Sequence, residues 1–168
     1  MDTTASAKLD DVDWSILAHL REDGRIPMAS LADKVGISRA TCYARMERLR
    51  TSGVLQGFTA RVNAAAAGNG LAAFILISGQ QHRWRELTEK LAEIPEVEYC
   101  AVVTGEFDLI VQVRTDDIQT LRHVILERLE EMEEVRSTVT IFALDEVIDR
   151  PYVLPAGHGV EPVAIPTI

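Results

Sequence analysis

Five arginines, Arg39, Arg45, Arg48, Arg50 and Arg61, stand against one acid, Glu47, in the stretch 36–61. A guanidinium is permanently charged and carries five donors in a planar fork, which suits phosphate oxygens and guanine edges. The apolar residues around these arginines decide where they point. Leu31, Ala32 and Val35 form one stripe, Gly36 breaks it, Ser38 restarts a helix, and Cys42, Met46 and Leu49 form a second stripe at i, i+4, i+7 that Gly53 ends. The pattern predicts helix, tight turn, helix. Arg39, Ala40, Tyr43 and Ala44, early in the second helix and off its buried stripe, are candidates to meet base edges in the major groove of double-stranded DNA. Arg45, Arg48, Arg50 and Arg61 are candidates for phosphates, although Arg45 has the alternative of pairing with an acid of the first helix. A charged helix that is merely solvated would show the same composition.

The rest of the chain must position that helix. Its 168 residues suit one medium domain or two small ones, and 47% hydrophobic with 26% charged residues is an ordinary globular composition. The net charge of −9 divides unevenly. Residues 1–62 hold 9 Lys+Arg against 8 Asp+Glu, whereas residues 63–168 hold 8 against 18, so the acid lies in the second half. Such asymmetry suggests a nucleic-acid-facing part and a part with another task. No apolar run is long enough to span a bilayer, and MDTTASAKLDDVDW has acids where a signal peptide is basic and then apolar, so a cytoplasmic location with no membrane partner is expected. Cys42 and Cys100 are too few for a disulfide framework and lie in apolar patterns, where buried, reduced thiols are expected.

In chain order, residues 1–8 read as a flexible arm. Leu9, Asp10, Asp13 and Trp14 fit a capping box with a hydrophobic staple, and Ile16, Leu17 and Leu20 continue the stripe to Asp23-Gly24. Pro27 suits the first turn of a helix running to about Val35. Residues 54–62 read as a short strand pair, or strand plus turn, forming a wing that closes a helical domain at 9–62, and 63–70, rich in small residues, reads as a hinge. Four strands and two helices follow. Leu71 to Ser78, Val97 to Thr104, Phe107 to Val113 and Val135 to Phe142 are the strands; Trp84/Leu87/Leu91/Ile94 and Ile118/Leu121/Ile125/Leu129/Met132 mark the helices. The order β-α-β-β-α-β over 71–148 predicts a ferredoxin-like domain, making the chain α+β. Both helices then cover one sheet face. Ile75 and Ile77 alternate with Phe74 and Leu76, and Ile110 faces away from Leu109 and Val111, so apolar residues point both ways, which implies a partner, most simply a second copy. Four prolines make the tail at 149–168 look extended, though residues from 143 onward could instead fold over the sheet.

Taken together, LDxxDxxIL (Leu9 to Leu17), DGR (Asp23 to Arg25), LAxxVGIS (Leu31 to Ser38), RMxRL (Arg45 to Leu49), GVLQGF (Gly53 to Phe58), PEV (Pro95 to Val97) and TGEFD (Thr104 to Asp108) resemble the Lrp/AsnC family, the feast/famine transcription regulators. The resemblance covers about residues 9–148. It implies a winged helix-turn-helix that binds a pseudo-palindromic operator. It also implies a second domain that dimerises, assembles further to an octamer and binds a small amino-acid-type effector. Carried across, Thr104, Gly105, Glu106, Phe107 and Asp108 should lie beside the effector, with Ser137, Thr138 and Thr140 as further polar contacts. Glycine-turn N–H groups suit a carboxylate, and Glu106 or Asp108 an ammonium. Read from its residues alone, the same stretch is a plain β-turn with Gly105 at positive φ. Pro27, Ala64 and Cys42 depart from the family's usual helix-capping serine, proline and β-branched residue.

The resulting expectation is a transcription regulator, not an enzyme, with no cofactor beyond the possible effector. Two rivals stay open. A sirohaem-decarboxylase-like enzyme shares this two-part architecture but would need basic and histidine residues that the acidic second half, with His82, His123 and His158 far apart, supplies poorly. A thiol- or metal-sensing regulator would need ligand spacings that are not found here.

Overall fold

The computed structural model describes residues 8–80, 83–148 and 154. Among these, residues 8–61 with 147, 148 and 154 form one compact unit, and 62–146 form another. The expected arm, His82 and the tail beyond 148 lie outside the described residues, except for Lys8 and for Leu154, which is buried.

The first unit contains α1 (Asp11–Glu22), α2 (Met28–Val35) and α3 (Arg39–Thr51). Asp10 caps α1 in a reciprocal box: its carboxylate accepts the Asp13 N–H at 3.0 Å and its own N–H donates to Asp13 at 3.1 Å. Pro27 precedes α2, and Gly36 ends it at φ +76°, a left-handed turn that glycine adopts readily. Ser38 restarts the chain as the cap of α3, its Oγ accepting the Thr41 N–H at 3.1 Å. Ile16, Leu20, Leu31, Ala32, Cys42 and Leu49 form the shared core. The expected wing strands are not formed. Residues 52–63 are irregular; Leu55 donates its N–H to the Leu49 carbonyl at 2.9 Å and packs on the helical core. The exposed Phe58 ring lies against Gly24, where a Cβ would stand 3.3 Å from its Cδ1. A strand needs a ladder partner, and this segment's contacts are with helices instead.

The second unit opens with a short turn in the expected hinge. Asn63 caps it through the Ala66 N–H at 2.9 Å, and Asn69 N–H closes it on Ala64 at 2.8 Å. Then follow β1 (Leu71–Gly79), α4 (Trp84–Ala92), β2 (Val97–Val102), β3 (Leu109–Thr115), α5 (Ile118–His123), which continues as a π-helical segment at Val124–Leu129, and β4 (Val135–Phe142). The sheet is antiparallel, in the order β2-β3-β1-β4. Alternation along the strands sends Ala73, Ile75, Ile77, Leu109, Val111 and Val113 to one face, under Leu87, Leu91, Leu121, Val124 and Leu129 of the helices. In the π segment Glu130 N–H reaches back five residues to Ile125 at 3.0 Å; Val124, three residues after Leu121 on the same face, is buried and Ile125 half-buried. Trp84 and Ile118, expected on buried stripes, are exposed at the starts of their helices. The Arg85 guanidinium stands 5.3 Å from the Trp84 ring centroid.

The opposite sheet face has no helix over it. Register places Phe74, Leu76 and Ser78 beside Ile141, Val139 and Ser137 on one side and beside Gln112 and Ile110 on the other. Val139, Ile141 and Tyr99 are 45%, 49% and 55% exposed on that face. Arg114, at its margin, is held bidentately by Glu146 at 2.9 and 3.0 Å and by Glu98 at 2.8 Å, which raises its pKa further.

Candidate nucleic-acid interface and effector turn

The burial of Cys42 and Leu49 fixes the rotation of α3 about its axis. At about 100° per residue, Ala40, Tyr43, Ala44, Glu47 and Thr51 then fall on the side away from the core, and all five are exposed. Tyr43 is 60% exposed, with its ring offered to solvent. Arg39 opens the helix, exposed, and no ion pair to it is found among the described residues. The two small alanines leave the helix backbone free to approach a groove floor, with Tyr43 and Arg39 as the long side chains of the same surface.

The remaining arginines are not equivalent. Arg45 spans two carboxylates: its Nη1 lies 2.6 and 2.7 Å from the two oxygens of Asp10 and 3.0 Å from Asp13 Oδ1. That arrangement is the alternative left open by the sequence, and it leaves the Arg45 side chain 25% exposed. Arg48 pairs with the other oxygen of Asp13. Arg50 forms a bidentate pair with Glu47 at 2.7 and 3.1 Å, which lowers the carboxyl pKa of Glu47. Arg61 is exposed in the irregular segment after α3.

Asp10 and Asp13, which hold Arg45 and Arg48, are the residues of this surface that reading the arginines alone passed over. A signal for them existed: Asp13 stands on the apolar stripe with Ile16, Leu17 and Leu20, a core position where a carboxylate needs a cation.

In the second unit, Gly105 has φ +126° and sits in the turn between β2 and β3. Val103 N–H donates to the Asp108 carbonyl at 2.9 Å, and Asp108 N–H to the Ile77 carbonyl at 2.9 Å. The N–H groups of Gly105, Glu106 and Phe107 make no hydrogen bond among the described residues. Asp108 uses Oδ2 to accept the Gly79 N–H at 2.7 Å, where the β1–β4 register slips. Ser78 Oγ donates to the Glu106 carbonyl at 3.4 Å. Ser137, cross-strand from Ser78, therefore shares this end of the sheet, on the open face. Thr138 and Thr140 do not join it. They share register with Ile77 and Ile75 on the helix-covered face, and Thr138 Oγ1 bonds Glu130 at 3.3 Å. Thr104 and Glu106 are exposed and Phe107 half-buried.

Among the described residues no group of three or more His, Cys, Asp and Glu is placed to hold a metal ion, and no helix is long and apolar enough to cross a membrane. Burial raises the thiol pKa of both Cys42 and Cys100.

A four-stranded sheet with one open apolar face, joined to a helix-turn-helix with an exposed third helix, has counterparts among known proteins. Residues 9–50 match the AsnC-type helix-turn-helix domain, and residues 72–153 match the Lrp/AsnC ligand binding domain. An HTH-type transcriptional regulator of Pyrococcus abyssi is 37% identical over 133 residues, 79% of this chain and 84% of that one. The HTH-type transcriptional regulator FL11 of Pyrococcus furiosus is 35% identical over 136 residues, 81% of this chain and 89% of its own. A transcriptional regulator of Neisseria meningitidis, solved as a complex with L-Met, superposes with a TM-score of 0.83 at 28% identity, covering 90% of this chain and 99% of that one. Both halves match in the same order, and the match takes in the helix that carries the arginines and the turn that carries Gly105, so the chain belongs to the Lrp/AsnC family of DNA-binding transcription regulators.

Proposed function

We propose that the chain is a sequence-specific regulator that acts as a paired assembly of copies, not as a catalyst, and whose DNA affinity or assembly responds to a small amino-acid-type effector. The observation that carries this reading is the outer surface of α3. Ala40, Tyr43 and Ala44 lie together there with Arg39 at the helix start, clear of the core that Cys42 and Leu49 fix. In the docked complex these four face base edges, while Arg48, Arg50 and Arg61 meet phosphates. The open apolar sheet face pairs two copies, so that two recognition helices read a pseudo-palindromic operator, and further assembly leads to an octamer.

For the effector, the unpaired N–H groups of Gly105 to Phe107 suit a carboxylate. Asp108 is already engaged by Gly79, so Glu106 is the better partner for an ammonium, and Ser137 the nearest further polar contact. The Neisseria relative's complex with L-Met supports this ligand class.

Two measurements test the proposal. Selection of bound duplexes from random sequence should yield a two-fold-symmetric motif whose preferred bases change with Tyr43→Ala, by roughly 1–3 kcal/mol of discrimination at one position. Calorimetry with each of the twenty amino acids should give heat for at least one, and Glu106→Gln should reduce it. No heat with any of them removes the effector class, and no selected motif removes sequence-specific reading.

A further inference from the structure

The Asp13 side chain has no exposed surface, yet it is a carboxylate at a core position of α1. Burying an ion is unfavourable unless donors surround it. Among the described residues three do: the Asp10 N–H at 3.1 Å, Arg45 at 3.0 Å, and Arg48. The two guanidiniums differ in what their departure would leave behind. Arg45 also holds both oxygens of Asp10, so its removal would take the guanidinium from Asp10 and leave Asp13 with Arg48 and the Asp10 N–H. Among the described residues Arg48 bonds Asp13 alone, and its side chain is 52% exposed against 25% for Arg45. When Arg48 leaves, Asp13 keeps Arg45 and the Asp10 N–H.

We infer that Asp13 is a positioning residue for DNA recognition: it fixes Arg45 as a strut between α1 and α3, and it holds Arg48 ready to exchange carboxylate for phosphate when a duplex docks. The inference rests on the reading of α3 as the DNA-facing helix and assigns different tasks to two arginines of the same helix. An exchangeable arginine held by a buried acid is pre-aimed, so little side-chain freedom is lost on binding. A phosphate is an equal or better partner because it accepts the same planar fork.

The test uses the full chain and fluorescence anisotropy with two duplexes, one selected by the wild-type chain from random sequence and one a scramble of it, over a range of salt. Arg48→Gln should flatten the plot of log affinity against log salt by about one. Arg45→Gln should leave that slope unchanged while lowering the melting temperature; if it does not fold, Arg45→Lys keeps a charge without the span between two carboxylates and should behave likewise. Asp13→Asn should cut discrimination between the two duplexes about tenfold, with affinity for the scramble kept or raised, since Arg48 remains cationic but is no longer aimed. Equal loss of slope in the Arg45 and Arg48 variants, an unchanged slope in Arg48→Gln, or a parallel fall of both affinities in Asp13→Asn would overturn the inference while leaving α3 as the DNA-facing helix. A wild-type chain that binds neither duplex at low salt would overturn that prior reading and this inference together.

Discussion

Gly105→Ala isolates a purely conformational demand of the turn between β2 and β3. With φ at +126°, Gly105 lies beyond the left-handed well near +57° that asparagine sometimes occupies. A Cβ added there would meet no atom within 4 Å, so crowding contributes nothing. The cost is that of an L residue held in a glycine region, on the order of 1–3 kcal/mol. Local relaxation is blocked because the turn is tied on both sides, from Val103 to Asp108 and from Asp108 to Ile77. For a unit of this size each kcal/mol lowers Tm by about 4–8 °C, so a mid-range cost of about 2 kcal/mol corresponds to a fall of roughly 8–16 °C in the second unit. Gly57→Ala is the matched control, equally open around its Cβ but without a positive φ, and should stay within about 0.5 kcal/mol of wild type. Gly36→Asn, at φ +76°, should be tolerated far better than Gly105→Asn. Thermal unfolding combined with amide hydrogen exchange along β2 and β3 reads the outcome. If Gly105→Ala melts with the wild type and β3 amides stay protected, the turn accepts an L residue and the reasoning from its backbone angle is wrong.

Two further outcomes follow from the two units taken separately. On the open sheet face, Ile141→Asp places a charge among Phe74, Leu76 and Val139, and self-association followed by sedimentation should weaken by roughly 30-fold or more, a loss of about 2 kcal/mol; an unchanged sedimentation profile would place the interface elsewhere. In the helical unit, the Arg45 guanidinium beside Asp10 holds its carboxyl at about 2, below the ordinary 3.8. A carboxylate depressed on folding contributes stability that is complete above its unfolded value and is lost as pH falls through the folded one. Melting temperature should therefore drop between about pH 4 and pH 2, and Asp10→Asn, which keeps a capping side chain, should remove that part of the acid slope.

Much of this fold is legible because local chemistry and tertiary packing agree. The Asp10/Asp13 box, the Gly36 turn, the Ser38 cap and the alternation through Leu109, Val111 and Val113 each appear in the structure as the residues imply. Where they fail, a non-local partner has decided. Residues 54–62 contain β-favouring side chains, but Leu55 packs on the helical core and Phe58 lies against the Gly24 turn. The apolar spacing of Ile118, Leu121, Ile125, Leu129 and Met132 fits a regular helix, and nothing in it announces the π segment at Val124–Leu129. Ser137, Thr138 and Thr140 look like one polar cluster in the sequence, yet period-two alternation puts Ser137 on the open face and the two threonines on the helix-covered one.

Charge gives the proposed pairing of copies a physical role. The first 62 residues are nearly neutral, and three of the five arginines around α3 are already matched to Asp10, Asp13 or Glu47 in the free chain. Sequence-independent attraction to DNA grows with the phosphates a protein neutralises, so one copy, with an acidic second half, attracts a duplex weakly. Internal pairing thus trades non-specific affinity for orientation. In the proposed assembly, two α3 helices held together through the apolar sheet face would regain the lost affinity by effective concentration, but only on a duplex whose two half-sites match their spacing. An effector bound at the sheet end near Gly105 needs only to favour one arrangement of copies over another to change that match, with no change in the chemistry of α3 itself.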